Sequence, residues 1–211
     1  MKKVCRLFAI LIVMIIGITT NVSAVIEECA HNRRTFNDKK LVSGVGNYGA
    51  NSRYYWVDTN FHTNMKNRIS YAVDFWVNTS SNPGVTTPIS IVKTTDRTAA
   101  TFEIRRKSLS GGTTGLTEFY SYSTKVADPS AKNWTWNICY IDGVKVTDLD
   151  YSNAQKTGLV AHELGHAMGL SHQPTRKSDS IMYNYDSRCF ADGSARNRPA
   201  KRDCNNINHI Y

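Results

Sequence analysis

The order of residue patterns along the chain predicts an α+β domain built on a mixed sheet. Two observations carry that expectation: β-rich segments crowd the middle of the chain, and segments of helical periodicity stand before and after them. A length of 211 residues with 41% hydrophobic content suffices for one domain with a packed core, with room for two lobes around a cleft.

The elements follow in order. Residues 25–50 are polar with Gly44, Gly46 and Gly49 near the end, and read as an extended lead-in to a domain spanning 51–211. Tyr54-Tyr55-Trp56-Val57 is aromatic and β-branched, hence a strand. From Asn64 to Val77 the apolar residues Met65, Ile69, Ala72, Val73 and Trp76 recur on one helical face. Asn78 to Pro88 is turn chemistry. Four strand candidates come next, at Ile89–Lys93, Thr101–Arg106, Glu118–Ser123 and Thr135–Ile141. Ser108 to Gly115 reads as a flexible loop. Helical periodicity returns at Asn153, with Ser152 or Asn153 as its cap, and runs through Met168 to stop at Gly169. A short helix is predicted over Asp203–Tyr211.

The first 24 residues belong to no element of this fold. Lys2, Lys3 and Arg6 precede the apolar run Leu7–Ile18, and Val22-Ser23-Ala24 offers a small-x-small cleavage site. That is the pattern of an export signal, and twelve apolar residues fall short of the roughly twenty that span a bilayer. The expectation is a secreted, extracellular, monomeric protein with no membrane span after cleavage. Without the signal, 23 Lys and Arg face 17 acidic residues, a net charge near +6. Cys29, Cys139, Cys189 and Cys204 then remain, an even number that favours two disulfides in an exported chain. Cys189 with Cys204 is the first choice because both lie in one turn-rich segment, and Cys29 with Cys139 follows by elimination. Arg188, Arg196, Arg198, Lys201 and Arg202 cluster near the end and read either as a solvated face or as a contact for an anionic surface or matrix. No motif supports nucleic-acid binding.

The chemistry is concentrated at His162-Glu163-Leu164-Gly165-His166. Positions i and i+4 share a helical face, so His162 and His166 can meet one metal ion, with Glu163 beside them as a general base. Gly169 can take the left-handed conformation that reverses the chain, which returns His172 as a third ligand. Three histidines leave one zinc coordination position open, the arrangement of catalytic and not structural sites. His31, His62 and His209 stand outside this spacing and read as surface or packing residues.

The run His162-x-x-x-His166-x-x-Gly169-x-x-His172, followed by Ser180-Ile181-Met182-Tyr183, resembles the metzincin zinc peptidases and their Met-turn. The Met182-Tyr183 pair is most similar to the matrixins, and the resemblance extends diffusely over residues 51–211. It implies a zinc metalloendopeptidase acting on protein or peptide substrates. It also implies a twisted mixed sheet of about five strands, with an active-site helix and a C-terminal helix either side of a zinc cleft. Met182 would form the floor under the ligands, and the substrate would pair in extended form with an edge strand. The cofactor implied is one catalytic zinc. Calcium is a second candidate, but Ser108 to Thr117 lacks the family's His and Asp ligands. Asn184 stands where the family has proline, Tyr185 is three past the methionine, and Cys29 lacks the context of an inhibitory cysteine. These departures leave the substrate pocket and activation open.

Overall fold

The computed structural model describes residues 34–173, 180–183 and 196–211. Residues 1–24, expected as an export signal, lie outside them, as do Cys29, His31, Asn184, Tyr185, Arg188 and Cys189.

Six strands form one mixed sheet: β1 (Arg53–Val57), β2 (Ile91–Lys93), β3 (Phe102–Arg106), β4 (Gly115–Ser121), β5 (Thr124–Val126) and β6 (Trp136–Ile141). Their spatial order is β2-β1-β3-β6-β4-β5. The first four in that order run parallel, and β4 pairs antiparallel with both β6 and β5. The expectation of about five strands missed β5, whose three residues form a hairpin return too short to show a period.

Helix α1 (Thr63–Val77) buries Met65, Ile69, Ala72, Val73 and Trp76, the face its periodicity predicts. Helix α2 (Asn153–Ala167) begins at a capping box: Gln155 N–H donates to Ser152 Oγ (3.2 Å) and Ser152 N–H to Gln155 Oε1 (2.8 Å). Both helices pack on the same side of the sheet, against Tyr55, Phe102, Ile104, Phe119 and Ile141. Trp76 Nε1–H donates 2.9 Å to the Ala161 carbonyl, so the indole is satisfied while fully buried between the helices. Helix α3 (Lys201–Ile210) closes the fold. Among the described residues no helix is long and apolar enough to cross a membrane.

The segment from residue 34 to 50, predicted as a lead-in, contributes to the core through Leu41 and Val45. It also bridges to the chain beyond α2, with Thr35 paired to Leu170 and Ser171 N–H donating to the Arg34 carbonyl.

The loop after β3, predicted to be flexible, is tied down from within. Asp142 accepts the Leu109, Val144 and Lys145 amides at 2.8–3.1 Å. The Lys145 ammonium donates to the Leu109 and Thr113 carbonyls and lies 3.6 Å from Asp142 Oδ2. Three backbone donors and the Lys145 charge hold the Asp142 carboxyl below the usual carboxylate range, against its burial.

Cys139 and Cys204 are free, buried thiols, and Cys29 and Cys189, the partners expected for them, lie outside the described residues. Cys139 is sealed into the helix-facing side of β6, its Sγ 3.6 Å from the Glu163 carbonyl. Burial pushes the Cys204 thiol up to about 12 and Cys139 further still, so neither is a nucleophile at neutral pH.

Candidate metal centre and catalytic site

Helix α2 carries His162, Glu163 and His166 on its last two turns. Met168 caps the helix and Gly169 reverses the chain at φ +109°, a conformation that disfavours any side chain. A Cβ there would also stand 3.1 Å from the Lys39 carbonyl and 3.0 Å from Ile210 Cδ1. Leu170 N–H donates to the Gly165 carbonyl across this turn, and His172 is delivered back towards the helix.

The three imidazoles converge. His172 Nε2 lies 3.2 Å from His162 Nε2 and 3.0 Å from His166 Nε2. His162 Nδ1 is 2.8 Å from the Ile181 carbonyl, and His166 Nδ1 is 2.8 Å from the Leu170 carbonyl. A carbonyl can only accept, so both Nδ1 atoms carry hydrogen and both Nε2 lone pairs face His172. Burial depresses the basicity of all three rings, taking His162 down to about 4. Neutral imidazoles with lone pairs turned to one point fit a zinc ion, and the backbone carbonyls behind them are the orienting layer such ligands use. Among the described residues this is the group of His, Cys, Asp or Glu side chains able to hold a metal.

Glu163 is buried beside the histidines. The Thr117 hydroxyl of β4 donates to its Oε2 at 2.7 Å. Burial raises the Glu163 carboxyl to about 7, and the Thr117 hydrogen bond opposes that shift. Gly115 makes the space: a Cβ on it would stand 2.5 Å from Glu163 Oε1. Neither residue carries a sequence signal for this role. Gly115 reads only as the end of a loop, and Thr117 as an ordinary strand residue.

Met182 lies beneath the site, buried, where a Cβ on Gly165 would collide with its Sδ. The turn that holds it is anchored at several points. Gln173 N–H donates 2.7 Å to the Met182 carbonyl. Asp203 of α3 accepts the Ser180 hydroxyl (2.5 Å) and the amides of Ile181 and Ala200 (both 2.8 Å). Asp203 thus grips, through its amide, the residue whose carbonyl orients His162. Sequence spacing leaves Asp203 as a helix residue only; its reach across to residue 181 is a tertiary fact. Phe36 lays its ring 5.8 Å from that of His166, a contact made by the lead-in.

The other described histidines, His62 and His209, belong to other parts of the fold. His62 precedes α1, and His209 Nε2 is 3.2 Å from Asp38 Oδ1. Within the basic cluster, Arg196 donates to the Ser180 carbonyl at 3.3 Å and the Arg198 guanidinium sits 4.1 Å from the Phe75 ring centroid. Those two cations are engaged in packing the fold.

The helix-borne ligand pair, the returning third histidine, the adjacent carboxylate and the methionine floor define a zinc metalloendopeptidase of the metzincin kind. Within that class the chain is matrixin-like: the matrixin family model matches residues 130–211, the stretch that carries every one of these groups. No curated protein matches the chain. Among solved structures, the hatching-enzyme zinc-protease high choriolytic enzyme 1 of the medaka fish Oryzias latipes is similar at 14% identity and TM-score 0.41, over 82% of this chain and 93% of that one. Myroilysin is similar at 12% identity and TM-score 0.46, over 75% of this chain and 91% of that one.

Proposed function

We propose that the chain is a secreted endopeptidase in which His162, His166 and His172 hold one zinc ion and Glu163 is the general base and acid. The observation that carries this reading is the convergence of three neutral Nε2 atoms beside a buried carboxylate whose pKa is raised to about 7. When bound, zinc supplies Lewis acidity, lowering the pKa of water to about 7 and polarising the scissile carbonyl. Glu163 removes a proton from the attacking water and delivers it to the departing amine nitrogen; a base poised near the working pH does both efficiently. Thr117 holds the carboxylate through Oε2, which fixes its orientation through both transfers.

Substrate placement follows from the sheet. β5 pairs with β4 only at residues 119–121, so among the described residues the edge of β4 from Gly115 to Glu118 has no strand partner beyond β6. An extended peptide laid along that edge gains backbone hydrogen bonds and passes Glu163, which Thr117 touches. Secretion rests on the basic and apolar residues 1–24 and their small-residue cleavage site.

The test is casein cleavage by residues 25–211 with and without a zinc chelator, alongside Glu163→Gln, with metal measured on both proteins. Chelator-sensitive cleavage, lost in the variant while about one zinc per chain is kept, is the expected result. Well-folded protein that takes up no zinc would overturn the reading.

A further inference from the structure

The side of the sheet turned away from α1 and α2 carries a second surface. Side chains alternate along each strand, so the partners of the core residues face outward together. Register places them in rows. Trp136 pairs with Tyr120, which pairs with Lys125. In the next row Trp56 stands beside Glu103, then Ile138, then Glu118. Arg105, Tyr140 and Leu116 make the third. Tyr54 at one margin is 46% exposed. Ile138 is buried yet takes no part in the core cluster, so its neighbours on this face cover it.

The face is aromatic and charged in a particular way. Tyr120 and Trp136 stack with centroids 4.4 Å apart at 15°. Arg97 lies 5.6 Å over the Trp56 ring and Lys107 4.3 Å over Tyr140. Glu103 pairs with Arg97 and Arg105, and Glu118 with Lys125 at 2.8 Å. Four cations therefore stand among the rings against two carboxylates. Sheets of parallel strands are ordinarily covered on both faces, yet α1, α2 and α3 bury their apolar residues in the core on the other side.

We propose that this outer face binds a polysaccharide strand carrying sparse carboxylates. Ring faces offer the C–H-rich sides of sugars an apolar platform, as they do other flat partners. Glu103 and Glu118 are nearly covered by the cations paired with them, and the cations left in excess take the polymer's acid groups. A polyphosphate fits less well: each of the two carboxylates repels it, and each already occupies a cation. The surface lies across the sheet from Thr117 and the histidines, so it anchors the enzyme without touching the reaction.

Binding of carboxymethylated cello-oligosaccharides to the zinc-loaded protein is measured against their uncharged parent and against oligothymidylate. The acidic sugar should bind best. Tyr54→Ala and Trp136→Ala should each weaken it by about fivefold or more, with casein cleavage unchanged. Tyr54 is the control for folding, since Trp136 also donates 2.7 Å to the Tyr122 carbonyl. Equal binding of the uncharged parent would overturn the acidic assignment. Tighter binding of oligothymidylate, undiminished affinity in both variants, or no sugar binding would each overturn the proposal.

Discussion

Glu163 sits against two neighbours, Thr117 and Gly115, each replaceable by itself. In Glu163→Gln the size is kept and the proton acceptor is lost, so kcat falls by about 10²–10⁴-fold while zinc content stays the same. Thr117→Val removes the one hydroxyl that donates to Oε2. Losing a donor to the charged form raises the carboxyl pKa, so the acidic limb of the kcat/KM profile moves to higher pH in that variant. A profile that superimposes on the parent's would sink the role given to Thr117. Gly115→Ala puts a methyl 2.5 Å from Oε1, and activity should drop at least as far as in Thr117→Val with the far-ultraviolet spectrum preserved. At this scale the sequence is uneven. The ligands and the base are legible because a helix turns sequence spacing into spatial coincidence. Thr117 and Gly115 are illegible because strand β4 meets α2 through tertiary packing alone.

Among the elements, the turn at Ser180–Tyr183 and helix α3 act as one piece through Asp203. Burial raises that carboxyl to about 6 against the donors that surround it, above the 3.8 of an exposed Asp. Between pH 4 and 6 the folded state then holds a proton that the unfolded chain has released. Stability conferred by this group falls as pH rises through that window and is constant above it, a swing of roughly 3 kcal/mol. Urea denaturation of the parent and Asp203→Asn across pH 4–7 measures this: the difference between them should change with pH below 6 and not above. A constant difference would mean that the carboxyl titrates normally. Helices α1 and α2 and five of the six strands follow from periodicity and β-rich runs. The packed segment from residue 34 to 50 does not, since its buried Leu41 and Val45 sit among polar residues and glycines with no period to find. Counting cysteines likewise says nothing of which faces a helix, as Cys139 does, 3.6 Å from the Glu163 carbonyl.

Over the whole molecule, zinc is a ligand of the folded state alone, since the unfolded chain separates His172 from the helix pair. At a free concentration about a thousandfold above its dissociation constant it adds about 4 kcal/mol, so chelation should lower the melting temperature along with the activity. A melting temperature indifferent to chelator, in protein shown to contain zinc, would contradict a site built from three separate positions.

The ammonium of Lys145, enclosed by the Leu109 and Thr113 carbonyls and the Asp142 carboxylate, has a consequence for how the protein meets its surroundings. For the loop it organises, the countercharge is covalently part of the chain. It cannot be diluted away or exchanged, so the hydrogen bonds that Asp142 and Lys145 make within this stretch last as long as the chain itself.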